Sequence, residues 1–136
     1  MTNIGYLSPK DAWSLLYNEE KSILIDVRTR AEWFYVGVPD LSSLNKNLCK
    51  LEWVEYPNGN YNSNFLKVLE KKFKKDVILI FICRSGHRSA LAAQAAFQIG
   101  FNYSYNLTEG FEGDLGSNNR RNINGWKTAG LPWSQT

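Results

Sequence analysis

The sequence predicts an α/β domain built on a parallel sheet, and three features carry that expectation. The stretch Val77-Ile78-Leu79-Ile80-Phe81-Ile82 is apolar throughout, and five of its six residues are β-branched or aromatic, as in a strand covered on both faces. It runs through Cys83 and a short polar turn into an alanine-rich segment, Ala90 to Gln98, whose apolar residues Leu91, Ala92, Ala95, Ala96 and Ile99 are spaced as on a helix. A second apolar run, Ile23 to Val27, follows a helix-like segment, so strands and helices alternate around one core. No internal repeat or linker is visible, and a single domain over residues 1–136 is expected.

Taken in order, Ile4 to Leu7 reads as a first strand. Ser8-Pro9-Lys10-Asp11 then reads as a helix start, with Ser8 as cap, Pro9 in the first turn and Asp11 at the capping-box position. Ala12, Leu15 and Leu16 form its buried side, and it ends near Asn18. The strand of Ile23 to Val27 leads into a charged cluster of Asp26, Arg28, Arg30 and Glu32. Between Trp33 and Asn64 the pattern is weak: turns at Gly37-Val38-Pro39-Asp40 and Pro57-Asn58-Gly59-Asn60, and an edge strand at Leu51–Val54. Asn62 or Ser63 caps a helix whose face is Phe65, Leu66, Leu69 and Phe73. Gly100 closes the alanine-rich helix, Tyr103 to Leu107 forms the last strand, and Gly110 to Gly125 is a long loop. Trp126 to Pro132 reads as a short terminal helix.

Composition narrows the function. Apolar residues make up 43% and charged residues 21%, with a formal net charge of only +3, which argues against nucleic acid as a partner. Lys71-Lys72 and Lys74-Lys75 fit a solvated helix end. No apolar stretch approaches the ~20 residues that span a bilayer, and Met1 to Tyr6 lacks the pattern of a secretory signal. Cys49 and Cys83 make neither a disulfide framework nor a zinc site, so no metal or cofactor is expected and a cytoplasmic setting is the default.

The chemistry concentrates in Cys83-Arg84-Ser85-Gly86-His87-Arg88-Ser89. A cysteine between a strand end and a helix N-terminus faces unpaired N–H groups and the positive end of the helix dipole, which favours its thiolate. Arg84 and Arg88 are the expected cations, Gly86 lets the backbone curl, and Ser85 and Ser89 are hydrogen-bond donors. A core cysteine has no use for such an apparatus, so Cys83 is the candidate nucleophile. His87, the only histidine, is assigned to the helix start and the entrance. Asp26 and Arg28 either brace the loop and steer anions or form structural ion pairs with Glu32 or a loop arginine. Cys49 reads as a passive residue near an edge strand, with a resolving thiol that accepts the sulfur as the alternative.

These residues resemble a known family. Cys83 to Ser89 is similar to the active-site loop of rhodanese-type sulfurtransferases, Cys-x-x-Gly-x-Arg-Ser/Thr. Leu24-Ile25-Asp26-Val27-Arg28 with Glu32-Trp33 resembles the family's Asp-Val-Arg…Glu-Phe/Trp element. Glu109-Gly110-Phe111 with Gly125-Trp126-Lys127 and Gly130-Leu131-Pro132 resembles its closing signature. The chain departs from the family at Gly37-Val38-Pro39-Asp40, where a histidine is common, and in the long Gly110–Gly125 segment, which reads as a solvated loop or, as the alternative, as one whose Arg120 and Arg121 recruit an anionic donor or a protein acceptor.

The resemblance implies a five-stranded parallel sheet with helices on both faces. It also implies a ping-pong sulfur transfer through a Cys83 persulfide, with thiosulfate or a persulfide as the small anionic donor. The acceptor is cyanide, a thiol or a protein. Arg84, Ser85, Gly86, His87, Arg88 and Ser89, with Arg28 and Asp26, would bind the donor. Two other readings stand beside it: a rhodanese-fold binding module without turnover, and a phosphatase or arsenate reductase. Related phosphatases and arsenate reductases carry five residues between Cys and Arg. Here four separate Cys83 from Arg88, a tighter ring that suits sulfur and crowds phosphate.

Overall fold

The computed structural model describes residues 3–135; Met1 and Thr2 of the N-terminal reading, and Thr136, lie outside the described residues. Strand β1 (Gly5–Leu7) leads into helix α1 (Pro9–Asn18), capped as expected: the Ser8 side chain accepts from the Asp11 N–H and Pro9 opens the helix. β2 (Ser22–Asp26) is followed by α2 (Arg30–Tyr35), and β3 (Val38–Pro39) by a 3-10 turn and β4 (Cys49–Lys50). Then come α3 (Phe65–Lys72), β5 (Ile78–Ile82), α4 (His87–Gln98), β6 (Ser104–Leu107) and β7 (Trp133–Ser134).

The sheet is five-stranded and parallel, in the order β1-β6-β5-β2-β4. Because side chains alternate across a strand, β2 and β5 feed two cores. Ile25, Leu79 and Phe81 pack with Phe65 and Leu69 of α3 and Ala92, Ala93 and Ala96 of α4. Leu24, Ile80 and Ile82 pack on the other face with Ala12 and Leu16 of α1 and with Trp126. The same alternation turns Cys83, the residue after β5, toward the α4 face.

Several local expectations are corrected. The edge strand is Cys49–Lys50 rather than Leu51–Val54, since β2 pairs Ile25 with Cys49 and Asp26 with Lys50. Leu51 and Trp53 still donate to the Asp26 and Val27 carbonyls, but outside a regular ladder. Gly37–Asp40 holds a strand, not only a turn, because Val38 and Pro39 pair antiparallel with β7. β6 is therefore not the last strand. α3 starts after Asn64, whose side chain makes no cap; Asn62 instead accepts the Asn64 N–H one turn earlier.

The segment from Trp126 to Pro132 is a looped turn, not a helix. Trp126 is fully buried and its indole N–H donates to the Pro132 carbonyl at 2.7 Å, which folds the segment back on itself. The alanine-rich helix begins earlier, at His87, and buries Ser89, Ala92, Ala93 and Ala96, while Leu91 faces solvent. α2 was absent from the sequence expectation, although Thr29 and Glu32 form a complete capping box at its start. Among the described residues no helix is long and apolar enough to cross a membrane.

Candidate active site

The loop after β5 places Cys83 at the floor of a turn, only 1% exposed. Gly86 adopts φ 104°, a left-handed conformation that glycine tolerates, and a Cβ there would stand 2.1 Å from the Thr108 carbonyl oxygen. That close approach presses the loop against the chain leaving β6 and directs the Gly86 N–H at Cys83 Sγ, 3.1 Å away. Ser89, on the first turn of α4 and fully buried, brings its hydroxyl to 3.2 Å from the same sulfur. A backbone N–H and a hydroxyl thus converge on one sulfur at a helix start.

Asn106 of β6, 4% exposed, completes a closed circuit around the sulfur. Its Oδ1 lies 2.5 Å from the Ser89 hydroxyl, and its Nδ2 donates to the Gly86 carbonyl at 3.1 Å. Sequence reasoning did not single out Asn106, because an Asn inside Tyr103–Leu107 reads as one polar strand residue. The available signal was its place in a parallel strand, where both faces are normally apolar.

The loop arginines are not the free cations expected for the thiol. Each has a carboxylate within reach and turns to it. Arg84 pairs with Glu112 at 3.4 Å. Arg88 meets Glu32 through two parallel hydrogen bonds of 2.7 and 2.9 Å. Burial by itself raises the Glu32 carboxyl, but hydrogen bonds from Arg88 and Thr29 and the Arg88 charge outweigh it and hold the group at about 2. The Glu32 hydrogen bonds push the Arg88 guanidinium up against its burial, with further help from the Glu32, Cys83 and Asp26 charges.

Asp26 and Arg28 form a pair sealed from solvent, with N–O distances of 2.8 to 3.2 Å. Arg28 also donates to the Gly37 carbonyl at 2.7 Å, and its guanidinium lies 4.3 Å from the centre of the Phe111 ring. Phe111 in turn donates its N–H to the Cys83 carbonyl at 2.8 Å, while Glu112 and Gly113 donate to the Arg84 carbonyl. The root of the Gly110–Gly125 segment is thereby stitched to the Cys83 loop. Within that segment Arg121 folds back to donate to the Gly113 carbonyl, and Arg120 is exposed.

Of the residues singled out from sequence, Cys83, Gly86 and Ser89 meet at the sulfur. Arg88 stands beside them, bound to Glu32. Ser85 is half-buried, and Arg84 and His87 are exposed on the rim. Asp26 and Arg28 lie beneath, behind Phe111. Cys49 sits in register with Ile25, which pairs with Phe81, so it lies two strands from the loop and is separate from the sulfur circuit. Burial pushes its thiol up, against the pull of Lys72.

Comparison with known proteins gives this arrangement a family. The family described as STR4 middle domain matches residues 4–136. A solved structure of Rv0390 from M. tuberculosis superposes with a TM-score of 0.91 at 42% identity, covering 98% of this chain and 99% of that one. The RP600 homologue of Rickettsia rickettsii is 41% identical over 90% of each chain. The polysulfide-sulfur transferase homodimer of Wolinella succinogenes superposes with a TM-score of 0.67 at 28% identity, over 98% of this chain and 80% of that one. Rhodanese-like domain-containing protein 4 of Arabidopsis thaliana is 29% identical over 95% of this chain, which spans 25% of that protein. The chain belongs to the STR4 middle-domain family of rhodanese-like proteins.

Proposed function

We propose that the chain is a sulfurtransferase in which the Cys83 thiolate carries a sulfane sulfur. The observation that carries this reading is the convergence on Cys83 Sγ of the Gly86 N–H at 3.1 Å and the Ser89 hydroxyl at 3.2 Å, both able to donate to a thiolate. Both are held in a loop with only four residues before Arg88. Neutral donors aimed at one sulfur stabilise charge there without a metal or a second nucleophile.

The thiolate attacks the outer sulfur of thiosulfate or of a persulfide, and the old S–S bond breaks, expelling sulfite or a thiolate. The persulfide on Cys83 is then attacked by cyanide, a thiol or a protein thiol, which completes a ping-pong cycle. Burial of Cys83 favours slim donors that reach it end-on. Arg84, Ser85 and His87 on the rim receive the anionic tail of the donor, Arg84 exchanging Glu112 for it, while Arg88, held by Glu32, anchors the start of α4 behind them. Asp26 and Arg28 brace the loop through Phe111. The name of the Wolinella relative, a polysulfide-sulfur transferase, fits the same chemistry, and a reducing cytoplasmic setting suits a free thiol.

Steady-state thiosulfate:cyanide sulfur transfer tests the reading. Cys83→Ser abolishes turnover and Cys49→Ser retains most of it. Full activity in the Cys83 variant would overturn the assignment, and an inactive parent protein with every donor class would favour a binding module.

A further inference from the structure

Asn106 is a buried amide in a central parallel strand, where an apolar side chain would be cheaper, because an amide left unpaired there costs about 1–3 kcal/mol. Both of its ends are used, and both uses lead to Cys83. Its Nδ2 must face the Gly86 carbonyl, since the reverse orientation would set two carbonyl oxygens against each other. Oδ1 therefore faces Ser89, at 2.5 Å.

The Ser89 hydroxyl has one proton and two acceptors, Asn106 Oδ1 and Cys83 Sγ, at 2.5 and 3.2 Å. When Cys83 carries its proton, the thiol donates to Ser89 Oγ and Ser89 donates to Asn106. When Sγ is anionic, Ser89 turns its proton to the sulfur.

We propose that Asn106 is a positioning residue for sulfur transfer, holding the Ser89 proton whenever Sγ is uncharged and yielding it whenever Sγ is anionic. The proposal rests on the sulfurtransferase reading above. In the loading step Sγ forms a bond to the outer sulfur of thiosulfate, the S–S bond of thiosulfate breaks, and sulfite leaves with its electron pair. The negative charge passes from Sγ to the transferred sulfur, Sγ becomes a neutral divalent sulfur, and the Ser89 proton returns to Asn106. In discharge the acceptor's lone pair bonds to the outer sulfur, and the electron pair of the persulfide bond returns to Sγ. Ser89 then turns back to it.

Asn106 thus competes with the sulfur for one hydrogen bond, and removing the competitor has a definite sign. The test is the pH profile of Cys83 alkylation by iodoacetamide, followed by peptide mass so that Cys49 does not contribute. It needs no sulfur donor, so it succeeds or fails independently of turnover; sulfur transfer by the parent protein is measured separately to judge the underlying reading. Asn106→Leu displaces the profile to lower pH and speeds alkylation below neutrality roughly three- to tenfold, the worth of one competing hydrogen bond. Ser89→Ala displaces it to higher pH, and Asn106→Leu adds nothing in that background. A profile unmoved by Asn106→Leu or displaced to higher pH, or a displacement that is the same with and without Ser89, would overturn the proposal. So would an unmoved profile in Ser89→Ala, which remains a test if the Asn106 variant does not fold.

Discussion

Arg88 and Glu32, 56 positions apart in the chain, meet through two parallel hydrogen bonds of 2.7 and 2.9 Å. This contact ties the first turn of α4, directly behind Cys83, to the capping box that starts α2. The helix that carries Ser89 is thus fixed at its N-terminal end by a carboxylate from another element.

The pair makes stability depend on acid in a definite direction. The Glu32 carboxyl is depressed from 4.5 to about 2 in the folded protein, so its contribution is fully present above about pH 4.5 and is lost as pH falls through about 2. Urea midpoints between pH 5 and pH 2 fall for the parent protein. The Glu32→Gln variant starts about 1.5–3 kcal/mol less stable, the worth of hydrogen bonds to a charged group, and loses less on acidification. Parallel curves for the two proteins would show that Glu32 is not the titrating group.

Gly86 is irreplaceable for a steric reason. At φ 104° an alanine costs about 1–3 kcal/mol in backbone strain, and its Cβ would stand 2.1 Å from Thr108 O, which forces the loop to move. Gly86→Ala therefore loses both stability and sulfur transfer. Gly59→Ala is the control: φ is 74° but nothing lies within 4 Å of its Cβ, so denaturation shows the strain alone and activity is retained.

Removing Arg28 leaves the Asp26 carboxylate buried without a counter-ion. Arg28→Met costs about 3–5 kcal/mol in urea unfolding. Arg28→Lys does not restore it, because an ammonium cannot span both Asp26 oxygens and the Gly37 carbonyl as the planar guanidinium does. The double change Asp26→Leu with Arg28→Met recovers much of the loss, since no lone charge remains.

Much of the architecture was legible where the signal is local. Ser8, Pro9 and Asp11 announce α1, and the apolar run ending at Ile82 announces the central strand and places Cys83 at its end. Thr29 and Glu32 were equally readable as a capping box, but Arg30–Tyr35 buries no residue, so no apolar periodicity accompanied the cap. The turn at Trp126 depends on one tertiary hydrogen bond to Pro132, and the partners of Arg84 and Arg88 come from distant segments. Sequence spacing carries no information on such contacts. For the site, the loop motif located Cys83, Gly86 and Ser89. It could not indicate that the arginines are occupied by Glu112 and Glu32, or that Asn106 closes the circuit around the sulfur.

The most direct test of the central claim is the mass of the protein after incubation with thiosulfate and with a small-molecule persulfide, read on the intact chain and on its Cys83 peptide. The account predicts the gain of one sulfur atom on Cys83, removed by cyanide or dithiothreitol and absent in Cys83→Ser. A chain that gains no sulfur from either donor, or gains it on Cys49 instead, would contradict it.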